Sequence, residues 1–201
     1  IKLAELLQPP ARSSKTPPLE YAPAPARSRT PPAQRRKAKH GLIQVVTHDR
    51  ECCWVHDPSE LGPYFAAAPV FRFCCLHMHD QGTYHDGRHY GVQAKILENW
   101  ASEFTKVARE LKQFLAYHKK APVVVVCLWC RGGKHRSVAT GELLITCLDA
   151  GVLDREAILT HRSLFKHRKN CRCPECRGDD QTANDERAKN ALKAWELWQL
   201  A

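Results

Sequence analysis

The pattern of apolar and polar positions predicts an α/β order of elements that begins only near residue 42. Leu42 to Thr47 is a β-branched run and predicts a strand, and Val70 to Leu76 predicts a second, shorter strand. Apolar side chains then recur at helical spacing from Val92 to His118. The run Val123 to Trp129 is apolar throughout, which favours a central parallel strand that is buried on both faces.

The second half of the chain continues this pattern with two further helices. Arg136 to Ala150 predicts a helix that ends at Gly151. Asp185 to Leu200 predicts a last helix with Leu192, Trp195 and either Trp198 or Gln199 on one side. Residues 161–184 show no periodicity. Because helix, buried strand, loop and helix follow one another, we expect a layered α/β sheet in which a central buried strand leads into a loop and a helix.

The first 40 residues differ in composition from the rest of the chain. They hold eight of the thirteen prolines and almost no large aliphatic side chains beyond residue 8. Such a segment buries too little apolar surface to offset its conformational entropy. We therefore expect a Pro-rich basic tail at 1–40 and an α/β domain at 41–201, with the tail available to a protein partner.

Positive charge is concentrated in two segments of the chain. Of the net charge of +10, residues 1–40 contribute +7 and residues 162–177 contribute +5, which leaves −2 for the remainder. Basic segments attract polyanions through phosphate contacts. The second segment predicts RNA contacts through a set of five cations: Arg162, Lys166, Arg168, Lys169 and Arg172.

The junction between the valine strand and the next helix carries the most specific pattern. Residues 130–137 read CRGGKHRS. A helix N-terminus after a buried strand presents N–H groups and partial positive charge, and Gly132 and Gly133 permit close approach by a ligand. Lys134, His135, Arg136 and Ser137 add donors. We expect this loop to bind a phosphate or another small anion.

Two kinds of protein carry a similar loop. The spacing from Cys130 to Arg136 and Ser137 fits the C-x5-R-[ST] loop of cysteine-dependent phosphatases. In that interpretation a thiolate beside Lys134 and Arg136 attacks phosphorus, so Cys130 would be catalytic.

The second resemblance covers more of the chain, roughly Leu42 to Arg168. Residues 130–139, CRGGKHRSVA, are similar to the signature of the C-terminal domain of RapZ-type RNase adapter proteins. Shorter matching pieces follow in the expected order: Asp49-Arg50, Asp57-Pro58, Asp86-Gly87-Arg88 and His161-Arg162.

The resemblance to RapZ-type proteins implies an α/β domain that binds a phosphorylated amino sugar in the bacterial case, and RNA through a basic C-terminal segment. It also implies that Arg50 and His161 complete the anion pocket around Lys134, His135 and Arg136. The function expected from it is a non-catalytic module for a sugar phosphate or nucleotide. The alternatives are a phosphatase that uses Cys130, or a component of a larger assembly anchored by the Pro-rich tail.

Three of the ten cysteines have the spacing of a metal site. Cys171, Cys173 and Cys176 fall within six residues of a polar loop, and Cys-Pro-x-Cys followed by Gly has the form of a zinc knuckle. His167 or His161 would supply the fourth ligand of zinc. The alternative is a set of free thiols. Cys127 and Cys147 lie in apolar segments and predict core positions, and the adjacent pairs Cys52-Cys53 and Cys74-Cys75 also favour burial near strands.

Four histidines lie in a Gly- and Asp-rich segment: His77, His79, His85 and His89. We expect a polar surface loop beside the pocket, and a metal site is the alternative. The chain begins at Ile1 and its only methionine is Met78, so it is expected to be part of a longer protein. Its cysteines favour a reducing, intracellular compartment, the cytoplasm rather than an organelle. Its longest apolar run is too short to cross a bilayer.

Overall fold

The computed structural model describes residues 41–50, 58–78, 84–150, 155–166 and 171–201. Several of the residues singled out above lie outside these ranges: the Pro-rich segment 1–40, Cys52, Cys53, Asp57, His79, His167, Arg168 and Lys169.

Four strands, three of which the sequence predicts, form one parallel sheet. The strands are β1 (Leu42–Asp49), β2 (Val70–Cys74), β3 (Val123–Cys130) and β4 (Glu156–His161). Their order is β2-β3-β1-β4, and each neighbouring pair is parallel. The α/β fold class is confirmed, and the valine strand lies inside the sheet. Because all strands run in one direction, their carboxyl ends meet at one edge.

Strand β4 has no counterpart among the predicted elements. Its residues alternate between exposed and half-buried, and Ile158 on its outer face is 42% exposed. An edge strand with a solvated face lacks the continuous apolar run that identifies a buried strand.

Six helices accompany the sheet in the described residues. They are α1 (Tyr90–Asn99), α2 (Ala101–Tyr117), α3 (Arg136–Ala150), α4 (Arg162–Lys166), α5 (Pro174–Arg177) and α6 (Gln181–Leu200). Short 3-10 turns cover Pro58–Leu61, Pro63–Phe65 and Cys75–His77. None of the described helices is long and apolar enough to cross a membrane.

The single long helix predicted over Val92 to His118 is wrong, because the chain breaks at Trp100. Trp100 has φ −132° and ψ 29°, outside the helical region, yet its N–H bonds Ile96 O and its carbonyl accepts from Phe104 N. It therefore ends α1 and starts α2. Apolar spacing continues through the break, so periodicity alone does not reveal it.

The two faces of the sheet are covered differently. Helices α1, α2, α3 and α6 share one core with the inward side chains of the strands, among them Ile43, Phe104, Leu111 and Leu144. On the other face a smaller cluster of Val46, Val125 and Cys127 is covered by residues from the segment 61–70. Strand β3 is buried on both faces, as its four valines predict.

Helix α6 begins at Gln181, four residues before the predicted start, because Asp180 caps it by accepting from Ala183 N at 2.7 Å. Its buried positions include Ala183, Ala194 and Trp198. The prediction for Leu192 was wrong, since its side chain is 61% exposed. Small alanines rather than large aliphatic residues allow this helix to approach its neighbours.

Candidate functional site

The loop of residues 131–135 joins the carboxyl end of β3 to α3, at the edge where parallel α/β sheets bind ligands. Cys130 is the last residue of β3 and lies opposite Asp49, the last residue of β1. The strand, loop and helix predicted for this junction are therefore present.

The two glycines of the loop have different surroundings. Gly133 has φ +57°, and a Cβ there would lie 2.7 Å from both Asp49 N and the Ser163 Cβ. This glycine is required because the loop packs tightly against the end of β1. A Cβ on Gly132 would meet nothing within 4 Å, so there is space where a side chain would project at this position.

Lys134 and Arg136 are half-buried and each is anchored by a neighbouring carbonyl. Lys134 Nζ donates to Tyr84 O at 3.0 Å, and Arg136 Nη1 donates to Leu76 O at 2.8 Å. A guanidinium carries five N–H donors and an ammonium three, so these contacts leave donors for an anion. His135 between them is also half-buried.

Cys130 and Ser137 face one another beneath the loop. Their Sγ and Oγ atoms are 3.2 Å apart, and Ser137 Oγ donates to His48 O at 3.4 Å. Cys130 is 2% exposed and Ser137 is fully buried. The serine hydroxyl therefore lies within the fold, linking the start of α3 to β1 and β3.

The two residues expected to complete the pocket are in different environments. Arg50 is exposed just after β1. His161 is buried, with Nδ1 2.8 Å from Thr47 Oγ1 and Nε2 2.8 Å from Glu142 Oε1. Both ring nitrogens of His161 thus bond side chains of the fold, and this histidine is not part of the cysteine cluster.

His85, Cys171, Cys173 and Cys176 form a group that lies close enough to hold a metal ion. Their ligand atoms all lie within 4.8 Å of one another. His85 Nδ1 is 3.3 Å from Cys173 Sγ and 3.8 Å from the sulfurs of Cys171 and Cys176. The sulfurs of Cys171 and Cys173 are 3.3 Å apart. The three predicted cysteines are brought together, and the histidine beside them is one that the sequence did not identify.

The local sequence explains how the three thiols converge. Cys173 caps the single-turn helix α5, its sulfur accepting from Cys176 N at 3.4 Å, and Pro174 takes the first helical position. Gly178 ends the turn in the left-handed conformation with φ +86°. This is the tight turn that the knuckle pattern predicts.

Residues 84–89 of the histidine-rich segment form a loop, as expected from their composition, but the loop is not wholly on the surface, because Asp86 is fully buried. Its carboxylate accepts from Arg88 N at 3.0 Å, Arg88 Nε at 3.0 Å, Arg88 Nη2 at 2.8 Å and Cys171 N at 2.7 Å. Burial by itself raises the pKa of Asp86, but the hydrogen bonds from Arg88 and Cys171 outweigh it and lower the pKa below its usual value. Asp86 thereby places His85 beside the cysteines.

The other histidines of that segment that the structure describes, His77 and His89, do not join the cysteine group. His77 is exposed, while the ring of His89 lies 4.0 Å from that of His85, centroid to centroid. Spacing could not identify His85 as a partner of Cys171, since 86 residues separate them in sequence. The signal in the sequence is the histidine cluster itself, for which a metal site is the alternative interpretation.

The electrostatic environment favours a thiolate at one of the three cysteines. The pKa of Cys171 is lowered to about 7, chiefly because its sulfur accepts from the backbone N–H of Cys173, with His85 and the other thiols adding to the effect. Burial raises the pKa values of Cys173 and Cys176. A bound cation would stabilise all three as thiolates.

Cys127 and Cys147 are core residues, as predicted. Cys127 and Cys147 are buried, and burial raises the pKa of each thiol to about 12. Cys75 is buried and Cys74 half-buried at the end of β2.

Two of the five cations expected to contact RNA can be located by their side chains. Arg172 is exposed beside the cysteine group. Arg162 lines a cleft of about 220 Å³, together with Gln44, Glu60, Leu61, Phe65 and Thr160, on the face of the sheet that the segment 61–70 covers.

No protein-family model matches the chain, and the search of curated proteins found no match either. The family and function implied by the sequence motifs therefore stand as proposals, argued below from the geometry.

Proposed function

We propose that this chain is a non-catalytic phosphate-binding domain, similar to the C-terminal domain of RapZ-type proteins, and that a structural zinc ion stabilises its fold. The observation that carries the phosphate proposal is the loop at the carboxyl edge of the sheet. There Lys134, His135 and Arg136 are half-buried, close in sequence to Gly132 with its open Cβ position, at the N-terminus of a 15-residue helix. Oriented N–H groups, the helix dipole and a forked guanidinium suit a phosphate dianion.

The zinc proposal rests on the size of the cysteine and histidine group. Zn–S bonds of about 2.3 Å and a Zn–N bond of about 2.0 Å give tetrahedral edges of about 3.8 Å between sulfurs and about 3.5 Å between sulfur and nitrogen. His85 Nδ1 lies 3.3–3.8 Å from the three sulfurs, within a few tenths of an ångström of the second value. The Cys171 and Cys173 sulfurs, at 3.3 Å, are about 0.5 Å closer than the first value, and all the ligand atoms lie within 4.8 Å of one another. Three thiolates and an imidazole fill all four positions of zinc, which is typical of a structural rather than a catalytic site.

Binding of inorganic phosphate and of a phosphorylated amino sugar, measured by isothermal titration calorimetry, tests the phosphate proposal. We expect Arg136→Ala to weaken binding roughly 10- to 100-fold, because a hydrogen bond to a charged group is worth about 1.5–3 kcal/mol. Arg131→Ala is the matched control, since Arg131 is exposed in the same loop and the variant removes the same charge. Equal affinities for the parent protein and Arg136→Ala would refute the assignment.

A second candidate, a cysteine-dependent phosphatase, is favoured by one contact. Ser137 Oγ lies 3.2 Å from Cys130 Sγ, where a hydroxyl could stabilise a thiolate nucleophile. Turnover of an aryl phosphate separates the two candidates. The binding proposal predicts no turnover by the parent protein and retained phosphate binding in Cys130→Ser, whereas turnover lost in Cys130→Ser would replace it with the phosphatase.

A further inference from the structure

We infer that metal at the His85, Cys171, Cys173 and Cys176 group positions the loop 131–135 for phosphate, so that anion binding depends on metal occupancy. This inference rests on the proposed function. The metal does not touch the anion in this account. It acts through residues 84–88, a segment that contains the ligand His85 and contacts both Cys171 and the start of α3.

One side of this segment is fastened to the metal ligands. His85 is itself a candidate ligand, and Asp86 accepts from Cys171 N at 2.7 Å. Arg88 Nη2 donates to Cys171 O at 2.9 Å and also to the Asp86 carboxylate at 2.8 Å. Asp86 therefore bonds the N–H of Cys171, and Arg88 bonds its carbonyl. A shift of the cysteines moves this segment with them.

The other side of the segment is in contact with the loop. Gly87 N donates to Lys134 O at 2.9 Å, and Tyr84 O accepts from Lys134 Nζ at 3.0 Å. A Cβ on Gly87 would lie 2.3 Å from His135 O and 2.3 Å from Ala139 N, both in backbone. Gly87 thus packs directly against the first turn of α3, with no space for another atom.

These contacts fix the donors of the loop before an anion arrives. A preformed set of donors binds more tightly than one that must be ordered on binding, because less conformational entropy is lost. Without metal, residues 84–88 keep the hydrogen bonds of Asp86 and Arg88 to Cys171 but lose the cross-link that the ion makes between His85 and the three cysteines. We therefore expect phosphate to bind about tenfold more weakly to the metal-free protein, and metal to be held more tightly when phosphate is bound.

The test compares the zinc-loaded full chain with chelator-treated protein, using inorganic phosphate as the probe and circular dichroism to establish folding. Hydrogen exchange of the amides at 131–137 is measured in parallel, because it reports on the loop without any ligand. Cys171→Ser should behave like the metal-free protein. Cys74→Ser is the matched control, a half-buried cysteine outside the group, and should behave like the parent.

Gly87→Ala provides an independent variant should the metal-free chain unfold. It should keep its zinc yet bind phosphate at least tenfold more weakly, since its Cβ displaces the first turn of α3. Equal phosphate affinity and equal exchange at 131–137 with and without metal would overturn the coupling, as would full phosphate affinity in Gly87→Ala. The zinc-loaded protein could fail to bind phosphate while metal still slows hydrogen exchange of the amides at 131–137. In that case the proposed function fails and the positioning of the loop by metal stands.

Discussion

Replacement of Asp86 by alanine tests whether this carboxylate joins the two segments of the site. The fully buried carboxylate accepts four N–H groups, three from Arg88 and one from Cys171. Removing one partner of a buried ion pair costs about 3–5 kcal/mol. Because the Arg88 side chain is 19% exposed and water can reach part of it, we expect the lower end, about 3 kcal/mol.

The free energy of unfolding measures this effect, from urea denaturation of zinc-saturated protein followed by tryptophan fluorescence. A loss of about 3 kcal/mol corresponds to a melting temperature lower by roughly 6–12 °C for a domain of this size. Asp185→Ala is the matched control, since Asp185 is exposed on α6, and it should change stability by about 0.5 kcal/mol or less. A loss below about 1 kcal/mol in Asp86→Ala would refute the view that Asp86 joins the two segments of the site.

Three further predictions concern other parts of the site. Gly133→Ala should destabilise the domain by about 2–4 kcal/mol, because it combines a positive φ with a blocked Cβ position, whereas Gly132→Ala should leave the melting temperature nearly unchanged. Burial lowers the pKa of His48. Below pH of about 6.5 the unfolded chain therefore binds more protons than the folded chain, and the free energy of unfolding should fall as the pH falls. The slope of the free energy of unfolding against pH should exceed that of His48→Asn by up to about 1.4 kcal/mol per pH unit. Zinc should bind about tenfold more tightly when phosphate is bound, measured as its affinity in competition with a chromophoric chelator, and an unchanged zinc affinity would contradict the coupling.

The fold class and the loop were predictable because their signals are local. A run of valines followed by Gly-Gly-Lys-His-Arg specifies a buried strand, a turn and a helix start within 20 residues. The thiol turn at 171–178 was equally visible, since Cys-Pro-x-Cys-x-Gly encodes its own geometry. Each of these features depends on neighbours in sequence.

The features that the sequence did not reveal depend on distant contacts. His85 meets the cysteines only because Asp86 bonds Cys171, and Gly87 is needed only because α3 packs against it. The break at Trp100 leaves the apolar spacing intact, and β4 at the sheet edge lacks an apolar run. In each case tertiary packing, rather than local preference, decides the structure.

The central claim is that His85 and the three cysteines hold a zinc ion. X-ray absorption at the zinc edge of the purified chain tests this claim most directly. We predict one zinc per chain, with three sulfur ligands at about 2.3 Å and one nitrogen ligand at about 2.0 Å. His85→Cys should convert this shell to four sulfurs. A zinc content near zero, or a nitrogen ligand that persists in His85→Cys, would contradict the account.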